Sequence, residues 1–434
     1  MIIPVVKNTE YRRFRDCVIV WVGVWPHNLP NMATDTHSAV GNPRVVNLRQ
    51  SDLTARARAA AEVAKSFAVA VDAEARFPSE AFAELRKQRL LGVQVPASLD
   101  GEAATLAEIA DVCYILGQSC SSTGLIYAMH QIKMGCLVRH YKNSPAIERV
   151  LRRIATDQLL MASSTTEGQA GGNVRSSEAP VERDGDTITL ERKATVISYA
   201  AEADGIVTTA RRAPDAPGND QVLVVLLKSD YTLERLQMWD TLGMRGTHSE
   251  GFTLRAKATA GQVMPEPYER IHSQTMVPFA HLLWGSVWAG IAAVAAGRAQ
   301  AFVRHVARQS GGTLPPGAAH FTQAVSSLRT LRGVLSANLR AYENIMSDEK
   351  AIASMEFQAL ITLTKVQASE LAVATVFSSL RACGLSGYRN DTEFSIGRLL
   401  RDVLSSPIMI SNDRILANLA TTSMMTPLPT SISG

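Results

Sequence analysis

The residues best able to do chemistry gather in one polar stretch, Thr165-Thr-Glu-Gly-Gln-Ala-Gly-Gly-Asn-Val174, with Ser198 further on. Glycines let backbone N–H groups approach an anion closely, so Ala170-Gly171-Gly172 predicts a cradle for a phosphate-like group. Taken alone, Thr166 and Ser198 are turn or strand hydroxyls. The nine His show no His-x-x-x-His spacing, and no metal centre is expected. No Gly-x-Gly-x-x-Gly follows a strand and no P-loop is present, which excludes a doubly wound nicotinamide fold. Ser347-Asp-Glu-Lys350 fits Ser-x-x-Lys, but it lies on a polar helix end and is read as solvated surface. The five Cys are odd in number, widely spaced and without a CxxC pair. They predict small buried residues in a reducing, cytoplasmic setting, not a disulfide framework or zinc site.

The elements that position these residues follow from patterning. The chain has 434 residues, 46% hydrophobic and 19% charged, enough for two or three domains. Net charge is +4 and no dense Lys/Arg run occurs, so no nucleic-acid partner is expected. Leu53, Ala57, Ala60, Ala61, Ala64 and Phe67 recur at helical spacing. Helices are also predicted over 80–88, 105–118 and 123–140, with a short extended stretch at 93–96. Alternating or β-branched runs predict strands at 187–191, 205–210, 222–227 and 252–254. Long helices return over 279–305, 321–347 and 351–383, then 399–419 with a break at Pro407. The expected class is α+β, mostly α. A helical N-terminal domain (46–157) precedes a small β-barrel or sandwich (158–268) and an antiparallel four-helix bundle (269–426). Residues 1–45 are expected to be a disordered or non-native extension, with Met32 an alternative start. The apolar run Val18 to Trp25 is too short to span a bilayer, and no membrane role is expected.

Four segments, in order, resemble the acyl-CoA dehydrogenase superfamily. Phe77-Pro78, Leu90-Leu-Gly-Val-Gln-Val-Pro96 and Asp100-Gly101 form the first. Thr165 to Val174 is similar to the family's Thr-Glu-Pro-x-Ala-Gly-Ser-Asp loop. Val196-Ile-Ser-Tyr-Ala-Ala-Glu-Ala-Asp204 is similar to Trp-Ile-Thr-Asn-Ala-x-x-Ala-Asp, and Leu242-Gly-Met-Arg-Gly-Thr247 follows it. Gly384-Leu-Ser-Gly-Tyr388 and Arg398-Leu-Leu-Arg-Asp402 complete the set. The resemblance implies FAD, or FMN in an oxygenase. It places Thr166 and Ser198 at the flavin ring, Gly171 and Gly172 at the loop, and Arg308, Arg381 and Gly384 toward the cofactor of a neighbouring subunit. It further implies a homo-oligomer, dimer or tetramer, with an electron-transfer partner or flavin reductase.

The activity it implies is α,β-dehydrogenation of an acyl thioester, bound to CoA or a carrier. That reaction needs a carboxylate within reach of the α proton. A gapless alignment on Arg401-Asp402 puts Ile410 at the family's usual Glu, and the alternative position on the first bundle helix falls at Trp284 and Gly285. Asp413 is the displaced candidate base, though an Asx turn or helix cap also explains it. A flavin-dependent monooxygenase acting on a small hydrophobic substrate needs no such base. There His248 and His281 are the titratable groups of interest. A third reading is an inactive flavin- or acyl-binding protein.

Overall fold

Ala57, Ala60, Ala61, Ala64 and Ala68 recur every three or four residues, and all are buried. They form the packed face of α1 (Leu48–Ala73), as a 3.6-residue period requires. The computed structural model describes residues 48–167 and 176–425, with side chains from 52 onward. After α1 come α2 (Ser79–Lys87), α3 (Leu106–Ser119), α4 (Ser121–His140) and α5 (Pro145–Asp157). Thr105 and Glu108 close a reciprocal cap on α3. Helix α4 is buried on almost every side, so it runs through the interior. Helix α5 was missed in the sequence although Ser144 caps it and Pro145 opens its first turn. Residues 93–96 form turns and not an extended stretch: the Val95 N–H donates to the Gly92 carbonyl at 3.0 Å.

Among the described residues seven strands make two sheets: β1 (Met161–Ser164), β2 (Glu182–Asp184), β3 (Thr187–Ser198), β4 (Gly205–Arg211), β5 (Gln221–Leu227), β6 (Tyr231–Gln237) and β7 (Ser249–Thr259). Their orders are β1-β4-β5 and β2-β3-β7-β6. Strands β4 and β5 are buried along nearly their whole length, which is why they are continuously apolar. Strand β3 alternates because one face meets solvent. The register of β3 on β7 slips between Ala194 and Ile197, so Thr195 and Val196 form a bulge.

The helical region opens with α6 (Tyr268–Ile271), which runs through a π turn, His272–Met276, into α7 (Val277–Gln309). Then follow α8 (Ala318–Ile345), α9 (Glu349–Ala353), α10 (Met355–Cys383), α11 (Leu385–Tyr388), α12 (Gly397–Val403) and α13 (Asn412–Met425). Helices α7, α8 and α10 are the long members of the bundle. Turns around Pro407 split the fourth position into α12 and α13. The helix expected over 351–383 breaks at Ser354, whose hydroxyl caps α10. Helices α3 and α7 cross at backbone contact. A Cβ on Gly117 would meet the Val287 carbonyl at 2.5 Å, and one on Gly290 the Tyr114 carbonyl at 2.4 Å. The α6–α7 stretch is long and apolar enough to cross a membrane, but its most apolar window is 89% buried, as in the core helix of a bundle.

Arg401 and Asp402 staple these layers. The Arg401 guanidinium pairs with Asp72 at the end of α1 and donates to the Leu242 carbonyl at 2.8 Å. Asp402 is buried, and its Oδ1 accepts the Met244 N–H at 2.8 Å. Burial holds its carboxyl above the usual carboxylate range. Replacing Asp402 with Ala leaves the Met244 N–H without its acceptor. A loss of about 2–3 kcal/mol in unfolding free energy is expected, read from the urea midpoint; an unchanged midpoint would remove the staple.

Candidate functional site

Three walls line a partly open cavity of about 160 Å³. The end of β1 and its continuation supply Ser163, Thr165 and Thr166, and the bulged end of β3 supplies Val196 and Ser198. Helix α4 supplies Met129, Ile132 and Lys133. The π turn and the start of α7 supply His272, Met276, His281 and Trp284, and Ile410 closes the rim. Val196 and Ser198, two residues apart on β3, both reach the cavity, as a strand's period of two places them on one face.

The hydroxyl wall has a fixed polarity. Thr247 Oγ1 donates to the Met244 carbonyl at 2.9 Å. Its contact with Ser249 Oγ, at 2.8 Å, therefore uses the Ser249 proton. The 2.8 Å contact between Ser249 and Ser198 then uses the Ser198 proton. Ser198 consequently offers lone pairs to the cavity. Tyr199, Met244 and His248 adopt left-handed backbone conformations at φ of 45°, 53° and 43° around this relay. Strain of this kind costs on the order of 1–3 kcal/mol per residue and persists only where the surroundings impose it. The Tyr199 N–H, shared between the carbonyls of Thr247 and His248, is one such constraint. Glu167 is equally anchored. Its carboxylate faces the buried Arg192 at 3.2 Å and accepts from Ser177 Oγ and from the N–H groups of Glu178 and Ala179. That glutamate thus holds the loop and does not serve as a base.

The opposite wall lacks a carboxylate among the described residues. Ile410 is β-branched yet sits at φ 54°. The ammonium of Lys365, itself buried, imposes this: Nζ donates to the Ile410 carbonyl at 2.6 Å and to Asn412 Oδ1 at 2.7 Å. Burial pushes Lys365 down to about 8, so it stays largely charged at neutral pH. His281 Nδ1 donates to the Ile361 carbonyl at 2.9 Å. Burial pushes His281 down to about 4, which makes it neutral at pH 7, with its second lone pair on Nε2. The indole N–H of Trp284 is buried without a partner.

Of the residues singled out from the sequence, Thr166, Ser198 and His281 meet in this cavity, as do Ile410 and Trp284. Gly171 and Gly172 lie outside the described residues. Asp413 is exposed in the first turn of α13 and does not line the cavity. His248 is also elsewhere. It clamps the turn before β7 to the end of α1, bonding the Glu202 carboxylate through Nδ1 at 2.9 Å and the Ala75 carbonyl through Nε2 at 2.8 Å. Arg308, Arg381 and Gly384 lie exposed at one end of the bundle, where α7 and α10 finish. Sequence reasoning missed Lys133, Met129 and the π turn. A lone Lys inside the apolar run of α4 was the available signal.

Residues 48–158 match the family model for the N-terminal domain of acyl-CoA dehydrogenases. The chain is similar to a probable acyl-CoA dehydrogenase, YngJ, of Bacillus subtilis, at 23% identity over 76% of this chain and 86% of that one. Its fold is similar to FMN-bound TdsC from Paenibacillus sp. A11-2, with TM-score 0.76, 15% identity, and 87% and 98% of the two chains covered. It is likewise similar to butyryl-CoA dehydrogenase of Megasphaera elsdenii, with TM-score 0.72, 14% identity, and 89% and 100% covered. The likeness to the acyl-CoA dehydrogenase superfamily is thereby established, in sequence for the N-terminal helices and in fold for the described chain.

Both acceptors around His248 favour its doubly protonated ring, and the Glu202 bond is the main cause that raises its pKa. Its contribution to stability is therefore full below about 6.5, the unfolded value, and fades as pH rises through the higher folded value. Its NMR titration should fall above that of a free His and return toward it in Glu202→Gln; no difference between the two proteins would break the clamp.

Proposed function

We propose that the chain is a flavin-dependent monooxygenase, with FMN or FAD against the hydroxyl wall and a small apolar substrate between it and α4 and α7. One observation carries this reading: the wall where a base would stand presents Ile410 and Trp284, with no carboxylate among the described residues that line it. The polar set fits a flavin ring: Thr165 and Thr166 give hydroxyls along one side, and Ser198 gives lone pairs. When bound in reduced form, the flavin supplies the two electrons that, with dioxygen, put one oxygen atom into the substrate and release the other as water. The lone pairs that Ser198 offers complement a ring N–H, which a flavin carries at its reactive edge only when reduced. His281, neutral and held through Nδ1, is placed to accept a hydrogen bond at Nε2. Val196, Ile132 and Ile410 give that space apolar walls. TdsC, one of the fold relatives, is a dibenzothiophene monooxygenase, which supports the reading.

Acyl-thioester dehydrogenation is the second reading, favoured by the sequence relatives, which include the Bacillus protein and a cyclohex-1-ene-1-carbonyl-CoA dehydrogenase. In either reading the parts 46–157, 158–268 and 269–426 act as domains, and the protein is a cytoplasmic homo-oligomer. Exposed Phe377, Leu385 and Tyr388, beside Arg381, support an interface at the bundle end. A flavin reductase would then supply electrons for oxygenation, or an electron-transfer partner accept them from dehydrogenation.

The two reactions separate cleanly. The flavin-loaded protein, mixed without oxygen with a panel of acyl-CoAs, is expected to stay yellow. With a flavin reductase, NADH and oxygen it is expected to oxygenate small apolar aromatics, seen as a mass gain of one oxygen. Anaerobic bleaching by an acyl-CoA would overturn the oxygenase in favour of the dehydrogenase. Thr166→Ala should weaken flavin binding roughly tenfold, the worth of one hydrogen bond, measured by fluorescence titration; unchanged affinity would detach the flavin from this wall.

A further inference from the structure

Lys133 lines the cavity, and the reading above leaves it without a task. It is 1% exposed on a helix that is buried almost all round. Its Nζ donates to Met276 Sδ at 3.3 Å, a weak acceptor, and no ion pair includes it among the described residues. The groups that face it do not neutralise it. Arg192 from β3 carries the same sign, and His281 across the cavity is neutral. The Cys136 thiol, one turn along α4, is pushed up to about 11 by burial and stays protonated. His272 from the π turn shares the cavity wall and adds no negative charge. Desolvation pushes Lys133 down to about 8, which still leaves it mostly an ammonium at pH 7.

An uncompensated buried ammonium is unfavourable, and Leu or Met would fill the space at less cost. Such groups collect where function requires them. In a space with apolar walls, a fixed positive charge acts at low dielectric and favours an anion strongly. The rest of the lining is apolar, hydroxyl or imidazole, so the anion is part of a larger apolar body.

We propose that the Lys133 ammonium pairs with an anionic oxygen of the substrate, so that the cavity selects a small apolar molecule carrying a carboxylate or phenolate. An acyl thioester offers no such charge at its acyl end. The inference rests on the cavity being the substrate site of the proposed flavin enzyme, but not on which reaction follows.

The test is equilibrium binding to the flavin-loaded protein, read by calorimetry, with benzoate, 4-nitrophenolate, benzamide and benzylamine as probes. The wild-type protein should bind benzoate or 4-nitrophenolate at least about tenfold more tightly than benzamide, and benzylamine least of all. In Lys133→Met, benzamide binding should persist while the preference for the anion disappears. The variant should also melt no lower than the wild type, because an unpaired buried charge has gone. Lys133→Gln provides a second neutral variant if Lys133→Met does not fold. Equal binding of anion and amide to the wild type, a preference that survives in both variants, or no binding of any probe would each overturn the inference. A protein that prefers the anion yet oxygenates nothing would refute the proposed reaction and leave this assignment standing.

Discussion

The close crossing of α3 and α7 is the constraint on which the arrangement depends. With glycine at 117 and 290, the two backbones come into direct contact, and no side chain separates them. That contact locks the N-terminal helices against the bundle helix that carries His281 and Trp284. Helix α4 follows α3 after a single residue, Cys120, so its position is inherited from the same crossing. The cavity exists because α4 and α7 are held on one side while β1 and β3 face them from the other. A side chain at either glycine would push apart the walls, not just the helices.

The cavity is asymmetric in chemistry as well as in structure. Its β side carries the hydroxyls of Ser163, Thr165 and Thr166, and of Ser198, whose proton feeds a relay ending on the Met244 carbonyl. Its α side combines apolar groups with one ammonium and two imidazoles, of which that of His281 is neutral. Neither side provides the carboxylate that proton abstraction from a thioester would use. A second buried lysine, Lys365, works by a different route: three acceptors surround it, and it holds the turn that presents Ile410. The contrast between the two lysines separates structural from functional burial. Lys365 is saturated with oxygen partners, whereas Lys133 has a thioether.

Much of this was legible in the sequence. The helix, strand, helix order and the long bundle helices followed from periodicity, because α1, α4, α7 and α10 bury wide apolar faces. The flavin-type motifs carried Thr166 and Ser198 to the cavity, and gapless counting put Ile410 at its rim. The failures have physical causes. Strand β6 is mostly exposed and β2 wholly so, hence neither shows an apolar signature. Asp413 and His248 were chosen for their chemical type, but exposure and a clamp to α1 decide their places, and neither is a local property. Lys133 was hidden for the opposite reason: a charged residue within an apolar helix is easily discounted as a surface position, and only tertiary packing shows that α4 has no surface.

The π turn before α7 bears on how such chains diverge. A π turn is an α-helix with one residue inserted, and everything upstream is rotated by about 100° relative to an uninterrupted helix. His272 and Met276 owe their place in the cavity wall to that extra residue. Loss of a single codon in this segment would therefore swing one wall of the site to new side chains while leaving the bundle core from Val277 onward intact. Such a fold can change what its cavity recognises by a change of length, without a substitution at any residue that lines it.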